Sequence, residues 1–159
     1  MELIKYYLTP DTYLRDLLSP FHYQTLKRTY YDCFHQDVTH YPSGFIYLLV
    51  NQVDGVIATA FITSEPIQNI PSMYTNTYSN KNTWYLYNVC TYSPYRGQHL
   101  MEDLLLDIFT ELVDDYGVPT NIILNVDSKN NSAIKLYNRL GFDYLDQTDR
   151  YLILIKKMI

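Results

Sequence analysis

Between Trp84 and Phe142 the sequence reads as strand, turn, long helix, strand and short helix, an order that leaves few folds open. Trp84 to Thr91 has almost no polar alternation, the pattern of a strand buried on both faces. A short turn follows around Tyr95-Arg96-Gly97. From about Gln98 to Tyr116, Leu100, Met101, Leu104, Leu105, Ile108, Phe109, Leu112, Val113 and Tyr116 recur as pairs every four residues, with Glu102, Asp103, Asp107 and Asp114 largely opposite. That is one apolar face of a core helix. Gly117 and then Pro119 stop it. Asn121 to Val126 reads as a second buried strand. Asn130 or Asn131 caps the next helix, whose inward face is Ala133 or Ile134, Tyr137 and Leu140, with Gly141 just past its end.

The turn has a chemistry of its own. The first amides of a helix have no acceptor within it, and the helix dipole makes that end partly positive. A helix start preceded by Arg96 and the small Gly97 is therefore suited to an anion, phosphate above all. Taken alone, the same two residues also describe an ordinary surface turn.

The rest of the chain frames this stretch. Glu2 to Leu8 reads as an edge strand. Thr9-Pro10-Asp11 and Ser19-Pro20 each offer a hydroxyl cap followed by proline, so a helix is expected at each, the second running to about Cys33 with Phe21, Leu26, Tyr30 and Phe34 as its apolar positions. Phe45 to Val50 and Val56 to Thr63 form a hairpin around Asp54-Gly55. Ser64 to Thr83 reads as one long irregular segment, functional or mobile. Tyr151 to Ile155 closes the chain as a strand.

At 159 residues with 47 % hydrophobic content, one domain over 1–159 with a substantial core is expected. A net charge of −5 without a basic patch argues against nucleic acid as a partner. No apolar run approaches the ~20 residues that span a bilayer, so no membrane partner is expected. The opening Met1-Glu2-Leu3-Ile4-Lys5 has no secretory character, and the chain reads as cytoplasmic. Cys90 sits in a buried strand, so a packed free thiol is expected there rather than a disulfide to Cys33. His35, Asp37 and His40 share a loop but lack a recurring ligand spacing, so no metal is expected.

The residues Leu86-Tyr87-Asn88-Val89-Cys90-Thr91, Tyr95-Arg96-Gly97-Gln98 and Val126-x-x-x-Asn130-x-x-Ala133-Ile134-x-Leu136-Tyr137-x-x-Leu140-Gly141-Phe142 together resemble the GNAT superfamily of acetyl-CoA-dependent N-acetyltransferases. The motif lies in Trp84 to Phe142, and the order of elements before it fits the same topology. The resemblance implies an α/β (α+β) fold: a mixed, mostly antiparallel sheet of six to seven strands, splayed between the fourth and fifth, with about four helices. It also implies acetyl-CoA as co-substrate. Backbone groups of Val89, Cys90 and Thr91 would hold the pantetheine arm. The turn from Arg96 through Gly97, Gln98, His99, Leu100, Met101 and Glu102 would cradle the pyrophosphate. Asn130 would contact the coenzyme arm, and Tyr137 would protonate the leaving thiolate. A phenol suits that role because its ordinary pKa, ~10, keeps it protonated at neutral pH.

The sequence departs from that pattern in two places. His99 and Met101 stand where the family's turn has small residues, and histidine is among the few non-glycine types enriched at positive φ. Asn125 stands where the branch that acetylates protein N-termini has a glutamate base; Glu65, His40, Asp143 and Asp146 are the substitutes on offer. Two functions follow: an N-acetyltransferase acting on a peptide, amino-sugar or small-molecule amine, or an acyl-CoA-binding module without catalysis, serving as sensor or protein partner. The eighteen tyrosines are spread along the chain as a composition bias, and those of the two early helices, the 35–43 loop and the 64–83 segment are the ones that would line an acceptor groove or fill a homodimer contact.

Overall fold

A computed structural model describes residues 1–78, 82–118 and 121–158. Its elements run β1 (Glu2–Leu8), α1 (Leu14–Leu17), α2 (Pro20–Phe34), β2 (Gly44–Asn51), β3 (Gly55–Thr63), α3 (Ser72–Tyr78), β4 (Thr83–Thr91), α4 (Leu100–Tyr116), β5 (Asn121–Asp127), α5 (Asn131–Arg139), β6 (Asp143–Gln147) and β7 (Tyr151–Lys157). The strands form one seven-stranded mixed sheet in the order β1-β2-β3-β4-β5-β7-β6. The chain divides into two compact units, Met1–Thr63 with Asn88–Leu106, and Ser64–Tyr87 with Asp107–Ile159.

In the first unit β1, β2 and β3 form an antiparallel meander. All nine residues of β3 are buried, which is why its sequence does not alternate. Helix α2 packs on β3 through small polar groups that satisfy backbone as well as fill space. Thr29 Oγ1 donates to the Val56 carbonyl at 2.6 Å, and Arg28 Nη2 donates to the carbonyls of Asp54 at 2.8 Å and Val56 at 3.0 Å. Gly55 allows this approach: its φ is +70°, and a Cβ there would lie 2.4 Å from Thr25 Oγ1. Ser19 caps α2 by accepting from the His22 amide at 3.1 Å, as its sequence position requires. The helix buries Leu26 and Tyr30 but not Phe21 and Phe34, which lie 41 % and 40 % exposed. Thr9-Pro10-Asp11 does not start a helix. Thr9 and Thr12 bond each other through backbone and side chain, closing a turn, and α1 begins only at Leu14.

In the second unit β5 pairs antiparallel with β7, and β7 with β6. Strand β6 is short and mostly exposed, so its residues carry no strand pattern, and the sequence gives no sign of it. β4 runs parallel to β5 over Thr83↔Asn121, Trp84↔Ile122 and Tyr85↔Ile123, where the described pairing ends although both strands continue. The segment after β3 is more ordered than its composition suggests. Ile67 and Ile70 are buried, α3 spans Ser72–Tyr78, and Tyr74 donates its hydroxyl to Asp146 Oδ2 at 2.9 Å. On α4, Leu104, Leu105, Ile108, Phe109 and Leu112 are buried as their spacing requires, while Tyr116 is half exposed and lies 5.2 Å from the Trp84 ring. Gly117 ends the helix at φ +78°; Pro119 lies outside the described residues. Among the described residues no helix is long and apolar enough to cross a membrane.

Candidate active site

The turn after β4 is built by local geometry. Ser93–Tyr95 forms a single 3-10 turn with Pro94 at its start. Gly97 then takes φ +78° and His99 φ +59°. A Cβ at Gly97 would meet nothing within 4 Å, so glycine is needed there for its backbone angle and not for space. His99 adopts the left-handed angle that its residue type tolerates. At the start of α4 the Asp103 amide bonds the His99 carbonyl at 3.2 Å. The five amides from Gly97 to Met101 have no acceptor among the described residues. Five consecutive free donors at the start of a seventeen-residue helix fit a pyrophosphate.

The departures from the family turn resolve simply. The His99 side chain is 73 % exposed, with Nδ1 3.5 Å from Glu102 Oε2, so the imidazole lies at the surface. Met101 is buried and belongs to the core. Gln98 is exposed and Leu100 half-buried.

Arg96 is not an unpaired cation awaiting a ligand. Its Nη2 donates to Asp32 Oδ2 at 3.0 Å, and its Nε donates to the Thr91 carbonyl at 2.8 Å. The same Asp32 oxygen accepts from the Ser93 amide at 2.9 Å. Cys33, the next residue on α2, forms a disulfide with Cys90 on β4, with Cα atoms 6.1 Å apart. The expectation of a packed free thiol at Cys90 is thereby overturned. The residue is buried, but its sulfur faces the last turn of α2, where Cys33 meets it. A third tie comes from the β2–β3 hairpin: Tyr95 donates its hydroxyl to Asp54 and accepts from Asn51 Nδ2 at 2.7 Å. Arg28 stacks 3.9 Å over the Tyr92 ring. Sequence reasoning missed Asp32, Cys33, Asn51 and Asp54 as supports of the turn. Only the even cysteine count carried any signal.

Within strand β4, Asn88 takes the left-handed angle φ +52°. Its carbonyl accepts from Thr59 Oγ1 at 2.7 Å, and its side-chain amide donates to the Thr39 carbonyl. Val89 and Thr91 beyond it are half-buried, and Cys90 is buried. His40, next to Thr39, has its pKa lowered by desolvation, which favours the neutral imidazole.

In the second unit Tyr137 on α5 is 5 % exposed, with its ring 5.5 Å from that of Phe142. Its hydroxyl has no partner among the described residues, and burial raises its pKa well above that of an ordinary phenol. Asn130 Oδ1 caps α5, accepting from the Ala133 amide at 3.2 Å. Asp127 holds the approach to that helix: its carboxylate accepts from the Lys129 amide at 2.9 Å and pairs with Arg150 at 3.2 Å. Asn125 donates from Nδ2 to the Gln68 carbonyl at 3.0 Å. Among the other acids named from sequence, Asp146 is engaged by Tyr74, Asp143 is exposed and Glu65 is half-buried. Among the described residues no group of three or more His, Cys, Asp or Glu is placed to hold a metal.

These features agree with comparisons to known proteins. The profile of the "Acetyltransferase (GNAT) family" matches residues 12–142. A chain of the NatC complex bound to Gag peptide and CoA is similar in fold, with TM-score 0.67, 15 % identity and complete coverage of both chains. The ribosomal-protein-S18-alanine N-acetyltransferase from Escherichia coli gives TM-score 0.66 at 15 % identity, covering 99 % of this chain and 94 % of its own. An N-acetyltransferase from Staphylococcus aureus Mu50 gives 0.60 at 12 %, with 99 % of each chain covered. No curated protein matches by sequence. The family profile spans most of the chain, and the chain belongs to the acetyltransferase (GNAT) family.

Proposed function

We propose that this protein is an N-acetyltransferase that uses acetyl-CoA as co-substrate and a primary amine as acceptor. The observation that carries the reading is the run of amides from Gly97 to Met101 without acceptors, presented by positive φ at Gly97 and His99. The amides of Gly97 to Glu102 hold the pyrophosphate, and backbone groups of Val89, Cys90 and Thr91 hold the pantetheine arm. Asn130 contacts that arm. When bound, the coenzyme supplies the thioester that the amine attacks directly. Tyr137 is the proton donor to the departing thiolate. Burial keeps its phenol protonated across the working pH range, and a thiolate formed away from water is itself a stronger base.

The acceptor is a peptide or protein amine, an amino sugar or a small amine. Peptides enter the screen beside amino sugars and small amines, since solved structures of similar fold include a chain of the NatC complex bound to Gag peptide and CoA. Asn125 cannot serve as a base, so the amine must arrive neutral or lose its proton elsewhere, with neutral His40 as a candidate. In this reading the protein works in the cytoplasm as one domain over residues 1–159, alone or as a homodimer.

Thermal unfolding with and without acetyl-CoA tests coenzyme binding. Ligand at about a hundredfold over Kd adds ~2.7 kcal/mol, a rise of roughly 5–11 °C for a domain of this size. Thiol release with a panel of amines then tests transfer. A second reading, an acyl-CoA-binding module without catalysis, is favoured by one observation: the Asn125 amide is spent on the Gln68 carbonyl. Coenzyme binding with no turnover on any amine class would select it.

A further inference from the structure

We propose that the last turn of α2 positions the coenzyme cradle, and that the oxidation state of the Cys33–Cys90 pair sets how tightly acetyl-CoA is held. The inference rests on the coenzyme-binding reading of the turn. Two adjacent residues of α2 reach the two sides of that turn. Cys33 is bonded to Cys90, which lies among the β4 residues assigned to the pantetheine arm. Asp32 accepts from the Ser93 amide and from Arg96, at the entry to the free amides. Arg96 ties the two halves together, bonding the Thr91 carbonyl and lying 3.4 Å from Cys33 Sγ.

Both oxidation states have places for their sulfurs. Cys90 Sγ lies 3.2 Å from the Thr29 carbonyl, and Cys33 Sγ 3.6 Å from the Thr91 carbonyl. After reduction, each thiol has an acceptor waiting, so opening the bond leaves no buried polar orphan. A disulfide in a cytoplasmic protein is more often a transient, redox-sensing bond than a permanent staple.

The chemistry is thiol–disulfide exchange with a small dithiol. One reductant thiolate attacks Sγ of Cys33, the less buried residue of the pair; the S–S bond breaks, and Cys90 leaves as a thiolate that takes a proton from water. The second reductant thiolate then attacks the mixed disulfide. It forms the reductant's own disulfide and expels Cys33 as a thiolate beside the Arg96 guanidinium. Two electrons pass from the dithiol to the protein. That thiolate takes a proton in turn, its thiol facing the Thr91 carbonyl, and the covalent link between α2 and β4 is gone.

The test is calorimetric titration of the wild-type protein with acetyl-CoA, chosen because it carries no free thiol. The protein is prepared fully oxidised and fully dithiothreitol-reduced, with the cysteine state of each sample fixed by mass after alkylation. Reduction is expected to weaken binding about tenfold, within the usual range of coupling between sites. Reoxidation should restore it, and the midpoint of the affinity change should follow that of the thiol titration in a graded redox buffer. Cys33→Ser should bind like the reduced wild type in both buffers. Equal affinity in the two states overturns the proposal while leaving coenzyme binding intact. Cysteines that remain reduced under oxidant overturn it as well. Absence of binding in both states overturns the coenzyme reading and this inference with it.

Discussion

Arg96 donates to Asp32 at 3.0 Å, so the cation that precedes the free amides is already paired within the protein. Both side chains are substantially exposed, and such a pair contributes less than about 1 kcal/mol to stability. Its larger effect falls on where the turn stands. Arg96→Ala should lower the melting temperature by only a few degrees yet weaken acetyl-CoA binding about tenfold, which corresponds to ~1.4 kcal/mol. Calorimetry on the variant separates the two effects. A large loss of stability with unchanged affinity would assign Arg96 to the fold alone.

The turn's tolerance is set by backbone angle. Gly97→Ala meets no atom within 4 Å but must adopt φ +78°, so it should cost about 1–2 kcal/mol. His99→Val should cost a similar amount or more, because a β-branched residue resists φ +59°. His99→Gly should leave stability within about 1 kcal/mol, since the relief of strain offsets the greater freedom of glycine in the unfolded chain. Chemical denaturation of the three variants gives the order. A destabilised His99→Gly would mean that the imidazole contact with Glu102 matters more than the backbone.

Tyr137→Phe removes a buried hydroxyl that has no partner among the described residues. Stability should therefore hold within about 0.5 kcal/mol or improve slightly, since no hydrogen bond is lost. Turnover should fall about a hundredfold or more, the usual contribution of a positioned acid, while acetyl-CoA affinity stays the same. Single-turnover kinetics on an identified amine checks this. An unchanged rate would remove Tyr137 from the chemistry.

The cores of both units were legible in the sequence where one periodicity ruled. The buried centre of the α4 stripe, the hairpin around Asp54-Gly55 and the Ser19 cap all follow from local pattern, and each is where its residues place it. The failures share a cause. Thr9-Pro10-Asp11 has the local chemistry of a helix start, but the two threonines satisfy each other and close a turn instead. Strand β6 is exposed, so it carries no hydrophobic signal and exists because β7 offers it a ladder. Helix α3 is short and polar, and Thr75 is the residue it buries. The turn itself was readable, down to the tolerance of His99 for positive φ. Its supports were not: Asp32, Cys33 and Asp54 act across 64, 57 and 41 positions of sequence, on Arg96, Cys90 and Tyr95. No local pattern encodes such distances.

Asp127 should make stability depend on acid. The Lys129 amide, and then Arg150, hold its carboxyl below the usual aspartate range. A lowered folded pKa means the contribution is fully present above the unfolded value, ~3.9, and is lost as pH falls through the folded one. Asp127→Asn should therefore be less stable than the wild type at pH 5–7, and the difference should shrink as pH drops below about 4. Urea unfolding at a series of pH values checks the convergence. Parallel curves with a constant offset would mean that the Asp127 charge contributes nothing to stability.

Trp84 is the single tryptophan among eighteen tyrosines, and it sits in the short stretch where β4 and β5 still pair, opposite Ile122 and against Tyr116. The molecule thus carries its own optical gauge at the root of the β4–β5 pairing. Light absorbed by the tyrosines drains to one indole, whose emission colour reports whether that root is dry. Any event that parts Trp84 from Ile122 and Tyr116 should redden the emission, so a cuvette is enough to follow it.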